Sequence, residues 1–449
     1  DKYRLLTFGQ QIVRSVAALE DPAVATEIHK SLKHLIVDEY QDVNPAQEEL
    51  IRRLVSGGAF LTVVGDDDQA IYQWRGSTVS NIIAFTKRYN GVQTFMLDIN
   101  RRSLPDIITT AARFSLTIND RLDKEMKPWR ATKDGHGEEQ IVSWACDTEQ
   151  DEAVEIARLI ANLNASGLPY SDIAILARSR AAYPKILEEL AARNIPVQPG
   201  GRSGLFEQPE ARCVGQMMCW LVGYDWREQR GRSTAVDTET LVEEFVKTFT
   251  LSKKQTLELE TWLEEIKILV PATDRVANLI GEFYQLLDIL NVRSWDINNP
   301  IVVNRLGTLA RFTNLLLDYE SVYKRSRPDD AVAGEQVGGQ DRGEWYYRNL
   351  ATFILNYASG DFDGFEGEDD LMIDAVDLTT VHSSKGLEWP AVFIPSLTSN
   401  RFPSMYSGRS QDWHVPRELF DAPRYEGGSD DERRLFYVAM TRARDWLSV

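Results

Sequence analysis

Two apolar runs, each ending in carboxylates, constrain this chain more than any other feature. Leu35, Ile36 and Val37 stop at Asp38 and Glu39, and Leu61 to Val64 leads to Asp66, Asp67 and Asp68. Short continuous apolar runs predict parallel strands buried on both faces. Open α/β sheets place their chemistry at the ends of such strands. Between the two runs, Asn44, Pro45 and Gln47 supply an N-cap, a first-turn proline and a capping-box partner, so a helix is predicted at once. Gln69 and Arg75 follow the second run, bringing an amide and a cation to the same edge. Such an edge suits Mg²⁺-dependent phosphate chemistry, because Mg²⁺ takes one or two carboxylates and fills its octahedron with water and phosphate oxygens. The second acid can orient or deprotonate a water.

The rest of the chain sets this edge in a large globular frame. Its 449 residues, 43% of them hydrophobic, can bury several cores, and the length predicts two to four domains. No apolar run approaches the roughly 18 to 20 residues that span a bilayer, and no signal peptide is evident, so the expected location is cytoplasmic. Cys146, Cys213 and Cys219 lack CxxC spacing and predict reduced, mostly buried thiols. The histidines His29, His34, His136, His382 and His414 are scattered, which argues against a zinc site. A net charge of −18 argues against binding nucleic acid through a general basic surface. Any such contact must be a local groove with stacking platforms.

Periodicity divides the chain further. Residues 1–32 are helical in pattern, with Asp21-Pro22 as a break, and Asn81 to Tyr89 is predicted helical. Thr94 to Leu97 is predicted as a short strand. Ile141 to Trp144 and Ile173 to Leu176 read as further strands, with helices around Ala153 to Leu163 and Pro184 to Ala192 and punctuation at Gly200-Gly201. From 202 to 371 helical stripes take over: Leu259, Trp262, Ile266, Leu269; Val276, Ile280, Phe283, Leu287, Leu290; Leu306, Leu309, Phe312, Leu316, Tyr319. Within this block, Arg325 to Gly343 reads as a mobile loop, and the acidic stretch 361–370 as a solvated linker without EF-hand spacing. Strand patterns return at Val376 to Val381 and Val392 to Ile394.

The stretch VDEYQDVN, followed by VVGDDDQAIYQWRGS, resembles motifs II and III of the UvrD/Rep-type superfamily 1 DNA helicases. Downstream, DINRRSLPDI resembles motif IV, TTVHSSKGLEWPAVFI motif V and ERRLFYVAMTRARDWL motif VI. The resemblance implies an α/β fold of two RecA-like parallel-sheet motor domains, the first incomplete, with a helical domain inserted in the second. The implied boundaries are 1–32 for the tail of an accessory helical region, 33–97 for the first motor domain, 98–201 and 372–449 for the second, and 202–371 for the insertion.

The resemblance also implies roles. Asp38 would hold Mg²⁺, Glu39 would activate water, Gln69 would sense the γ-phosphate, and Arg75 would couple nucleotide state to DNA. Arg102 and Arg442 would be the γ-phosphate arginines, Glu388 would contact the nucleotide sugar, and Gly386 lies in the same nucleotide-binding motif. Arg101 stands where the family has its adenine-stacking tyrosine. Tyr72 and Trp74 would stack on single-stranded DNA, with Thr380 and His382 lying toward it.

The implied cofactors are ATP and Mg²⁺. The implied partners are single-stranded DNA, single-/double-strand junctions and repair or replication proteins, near the bacterial nucleoid and without a membrane. The implied motion is 3′ to 5′. Only 37 residues precede Asp38, and no GxxGxGK[ST] phosphate loop occurs, so the chain is expected to be the C-terminal part of a helicase and inactive alone. Two other readings remain at this stage: a non-catalytic DNA- or partner-binding module, and a metal-dependent nuclease using Asp66 to Asp68.

Overall fold

The computed structural model describes residues 6–131, 140–199, 205–206, 208–227, 233–297, 299–323, 327–328, 336–337, 341–358, 374–410 and 415–449. Gly200, Gly201, His136, His414 and the acidic stretch 361–370 lie outside the described residues. The chain divides into two compact units, one of residues 1–5, 169–171 and 190–377, the other of residues 6–168, 172–189 and 378–449.

In the larger unit, strands His34–Val37 and Phe60–Val63 pair in parallel, with Val37 opposite Val63. The intervening helix Pro45–Val55 starts on the predicted box. Asn44 Oδ1 accepts from the amides of Ala46 and Gln47 at 3.1 and 3.0 Å, and Gln47 Oε1 accepts from the Asn44 amide at 2.9 Å. Ile51 on this helix, with Tyr40 and Val43, packs against Leu35, Val37, Leu61 and Val63. The expectation of strands buried on both faces is corrected here, since Ile36 and Phe60 are each 71% exposed. Only the face toward the helix is covered. Double burial requires a second layer, which a local apolar run cannot supply.

The predicted strand at Thr94 to Leu97 is likewise corrected. Among the described residues they have no ladder partner, and Phe95 and Leu97 are more than four-fifths exposed. Pairing begins two residues later, where Ile99–Asn100 runs parallel to Lys127–Pro128.

A second parallel sheet carries the later motifs. Its strands in this unit run in the order Ile141–Val142, Ala443–Ser448, Trp389–Phe393, Ile173–Ala177 and Val376–Thr380, the last contributing its final three residues. Ile173–Ala177 is buried at every position, as a doubly covered strand should be. Helices Pro105–Ser115 and Ser429–Met440 pack Ile107, Ala111, Leu435 and Val438 against Ala174, Val392 and Leu447.

The smaller unit is mainly helical: Pro209–Leu221, Thr238–Phe249, Lys253–Leu269, Leu279–Ile289, Pro300–Tyr323 and Gly343–Ala358. The stripes converge on one core containing Leu259, Ile266, Phe283, Leu290, Phe312, Leu316 and Tyr319. Leu269 and Val276 fall off the stripe at a helix end and in a loop, and both are exposed. Within the expected loop, Arg327–Pro328 and Gln336–Val337 form a short antiparallel pair, and most of the remainder lies outside the described residues.

Candidate functional site

The end of strand His34–Val37 turns sharply. Asp38 Oδ1 accepts from the Glu39 amide at 2.9 Å, and Glu39 sits in the left-handed region at φ 49°. A non-glycine residue there stores about 1 to 3 kcal/mol of strain, characteristic of positions whose side chain must be aimed. Both carboxylates are exposed beside an open groove of about 440 Å³ that Asp42 and Gln47 also line. Among the described residues the second Asp38 oxygen has no protein partner, and such a hard, exposed oxygen fits Mg²⁺, which needs only one or two carboxylates. Among the described residues, no group of three acids, histidines or cysteines forms a cage for a metal.

Glu39 is held by two residues that sequence reasoning missed. Gln41, fully buried, donates to Glu39 Oε2 through Nε2 and accepts from the Asp66 amide at 3.1 Å through Oε1. Lys385 Nζ lies 3.1 Å from Glu39 Oε2, pairs with Asp42 and donates to the Gln69 carbonyl at 2.9 Å. Burial pushes Asp42 up to about 6 even with the Lys385 ammonium opposing it. The sequence signal for Lys385 was the KG pair in motif V. Its partner across 343 positions could not be read from spacing.

The second strand end is tied as tightly. Gly65 has no room for a side chain, because a Cβ there would lie 2.4 Å from Gln41 Oε1. Beyond it, Gln69 Nε2 donates to Asp66 Oδ2 at 2.6 Å, and Arg442 Nη2 donates to Gln69 Oε1 at 3.4 Å. Lys124 reaches Asp66, Asp67 at 2.6 Å and Asp68 at 3.1 Å, while Arg121 pairs with Asp68 at 3.0 Å. The Leu122 amide donates to Asp67 Oδ2 at 2.6 Å, and Arg434 Nε donates to the Asp67 carbonyl at 3.1 Å. Burial, the largest single effect, would raise Asp66, but the Lys124 charge together with hydrogen bonds from Lys124, Gln69 and the Asp68 amide outweighs it and holds the carboxyl below its usual range. The nuclease reading of these acids is therefore corrected: they are consumed by lysine, arginine and backbone donors.

Motif IV and motif VI residues complete this wall. Asn100 Oδ1 accepts from the amides of Arg102 and Ser103, fixing the turn that carries Arg101 and Arg102. Arg102 Nε pairs with Glu388 Oε2 at 2.5 Å, and its Nη1 donates to the Thr441 carbonyl at 3.0 Å. Helix Ser429–Met440 ends two residues before Arg442, which is 2% exposed and donates to the carbonyls of Val438 and Leu387. Burial, then the neighbouring Arg102 charge, pushes the Arg442 guanidinium down to about 10. Gly386 takes φ 87° with open space where a Cβ would point, so its need is conformational.

A ledge of aromatic rings adjoins the lysine. Arg75 lies over Tyr72 at 4.7 Å and Trp74 at 4.6 Å, and Trp74 is 45% exposed. Tyr72 donates its hydroxyl to the His382 carbonyl at 3.1 Å, with the two rings 6.3 Å apart. Burial, then the charges of Arg178 and Arg75, pushes His382 down to about 3. At neutral pH it is uncharged and cannot pair with a phosphate as a cation. Thr380 Oγ1 lies 3.0 Å from Ser383 Oγ in the turn that follows strand Val376–Thr380.

Comparison with known proteins matches residues 1–90 to the UvrD/REP helicase N-terminal domain, and residues 95–285 and 234–449 to the UvrD-like helicase C-terminal domain. The chain belongs to the UvrD-like helicase family. Similar relatives include proteins named ATP-dependent DNA helicase PcrA from Staphylococcus epidermidis, 26% identical over 99% of this chain and 58% of the relative, and from Staphylococcus aureus, 27% identical over the same shares. One from Leuconostoc citreum is 28% identical over 94% of this chain and 54% of the relative. The UvrD-like chain thus spans less than three-fifths of the length of these relatives.

Proposed function

We propose that the whole protein is an ATP-dependent DNA helicase and translocase of the UvrD/Rep type, moving 3′ to 5′ on single-stranded DNA in repair or replication. The observation that carries this reading is the meeting of Glu39, Gln69, Arg102, Glu388 and Arg442, drawn from five motifs, on one wall beside an aromatic ledge. Phosphoryl transfer needs little covalent help from protein, only positioning and charge stabilisation, and this wall supplies both.

In this reading Asp38 holds Mg²⁺, which when bound neutralises phosphate charge. Glu39 takes the proton of the attacking water, Gln69 senses the γ-phosphate, and Arg102 and Arg442 stabilise charge on it. Glu388 and Gly386 serve the nucleotide. Tyr72 and Trp74 stack on bases regardless of identity, as a translocase requires. Thr380 and His382 line the same DNA path through hydrogen bonds, with Arg75 joining ledge to wall. The larger unit would comprise two motor segments meeting near Leu97.

The test is ATP hydrolysis by the whole protein with and without single-stranded DNA, together with unwinding of 3′-tailed and 5′-tailed duplexes. DNA should stimulate hydrolysis, and 3′ tails should be preferred. Glu39→Gln should lower kcat by about 10² to 10⁴, the usual contribution of a general base, while ATP binding persists. Unstimulated hydrolysis, or a Glu39→Gln variant as fast as the parent, overturns the proposal.

A further inference from the structure

The turn that carries Trp74 has little to hold it from within. It is a 3₁₀ turn of three residues, Gln73–Arg75, closed by the Gly76 amide donating to the Gln73 carbonyl at 2.7 Å, with Gly76 in the left-handed region at φ 82°. Such turns have poorer hydrogen-bond geometry than an α-helix. Support comes from residues 417–431, which lie between motifs V and VI and belong to neither. Arg424 Nε donates to the Gly76 carbonyl at 2.7 Å, across 348 positions of sequence. The Tyr425 ring covers the α-carbon of the same glycine, since a Cβ there would lie 2.6 Å from Tyr425 Cε1. Phe420 meets that ring edge to face with centroids 5.7 Å apart, and Arg417 Nη2 donates to Glu426 Oε2 at 3.1 Å, closing the segment on itself. At the start of the turn the Gln73 amide, oriented with its nitrogen toward the acid, donates to Asp431 Oδ1 at 2.5 Å. Gly76 is thus seated twice, through its carbonyl and through its α-carbon, two residues from an indole that stays 45% exposed.

We propose that Arg424 and Tyr425 are positioning residues for single-stranded DNA: by seating Gly76 they fix the angle at which the Trp74 indole meets a base. The inference rests on the stacking reading above. Stacking is a short-range attraction between flat faces. A platform on an unsupported turn must be ordered as the base arrives, which weakens binding, whereas a turn already seated avoids that loss. The glycine makes the seat possible, because a residue without Cβ both takes φ 82° without strain and lets an aromatic ring rest on the backbone. The guanidinium adds a charge-assisted bond to the carbonyl, stronger than a neutral donor would give. In this arrangement the two side chains act on the base through Trp74, and that gives them a specific signature.

The test measures binding of the whole protein to oligo-dT and to an abasic oligomer of the same length by fluorescence anisotropy at fixed salt. The proteins compared are the parent, Tyr425→Ala, Tyr425→Phe, Arg424→Ala, Trp74→Ala, and Tyr425→Ala and Arg424→Ala each combined with Trp74→Ala. Tyr425→Ala and Arg424→Ala should each weaken oligo-dT binding about threefold to tenfold, short of the loss of the whole stack, and leave abasic binding, which rests on phosphates, at the parent level. Neither should add to the loss once Trp74→Ala is present, because residues that act as a unit are not additive. Tyr425→Phe keeps the ring over Gly76 and should bind as the parent does. In hydrolysis, the DNA concentration that half-saturates stimulation should rise while the rate at saturating DNA holds. Equal weakening of oligo-dT and the abasic oligomer, or a loss that adds in full to that of Trp74→Ala, reveals a general structural role and overturns the proposal. Should Tyr425→Ala fail to fold, Arg424→Ala decides by the same cycle. Loss at Trp74 without loss at Arg424 and Tyr425 overturns the proposal alone, whereas a Trp74→Ala protein that binds oligo-dT as the parent does overturns the stacking reading and the positioning role with it.

Discussion

Replacing Lys124 by methionine should destabilise the larger unit more than any surface substitution. The ammonium is 10% exposed and serves Asp66, Asp67 and Asp68, of which the last two are 2% and 1% exposed. Removing one partner of a buried pair leaves uncompensated charge, which costs about 3 to 5 kcal/mol. Two contacts moderate that figure, because Arg121 keeps its pair with Asp68 and the Leu122 amide still donates to Asp67. The expected cost is therefore near the lower end, about 3 kcal/mol. The pH dependence has a definite sign. Asp66 is held below its usual value, so its contribution is present above the ordinary carboxylate pKa and lost as pH falls through the folded one. For Lys124, burial is overridden by the three carboxylates and the group is raised, so its contribution is present below the ordinary lysine pKa and lost only as pH rises through the folded value. Urea unfolding at neutral pH, with hydrogen exchange at the Gln69 and Leu122 amides as the local readout, checks the cost. A Lys124→Met protein within about 0.5 kcal/mol of the parent, the scatter of ordinary surface changes, would refute the clasp.

Trp74→Ala should weaken single-stranded DNA binding by about 1 to 3 kcal/mol without sequence bias, measured by fluorescence anisotropy at fixed salt; a loss confined to one base composition would contradict a sequence-blind ledge. His382, held near 3, binds its proton in the unfolded chain first, so its contribution is present above about 6.5 and lost as pH falls toward 3. The stability of the parent relative to His382→Asn should accordingly decline below pH 6.5 by at most about 1.4 kcal/mol per pH unit, and a flat difference between pH 6 and 4 would show that the imidazole is not buried neutral.

The parts of the fold legible in the sequence are those whose causes lie within a few residues. Helix Pro45–Val55 starts where Asn44, Pro45 and Gln47 require, because a cap is satisfied by amides two and three positions away. Ile173 to Leu176 reads as a strand and lies in one that is buried at every position, whereas the equally apolar Leu35 to Val37, expected to be buried on both faces, is covered on one. The difference lies in the layers around each strand, which no local run encodes. The site divides the same way. Glu39, Gln69, Arg102 and Arg442 stand in recognisable motifs, whereas Lys124 and Arg424 lie in stretches with neither periodicity nor motif. Lys124 acts on acids 56 to 58 positions upstream, and Arg424 meets Gly76 across 348 positions.

Lys385 joins the wall to the ledge. Its ammonium touches Glu39, Asp42 and the Gln69 carbonyl, and lies 5.4 Å from the centre of the Tyr72 ring, which Arg75 links to Trp74. Contiguity alone is not coupling; coupling needs a group with two competing sets of partners. Glu39 is such a group. In the arrangement seen here its Oε2 is shared by Gln41 and Lys385, so a proton taken up on either oxygen removes the charge that both contacts draw on and weakens them. Releasing Lys385 leaves that charge to Asp42 and the Tyr72 face, and releasing Gln41 frees the side chain that holds the Asp66 amide and, through Asp66, Gln69. Either route would carry a change at Glu39 into a neighbouring motif by exchange of one charge or one amide.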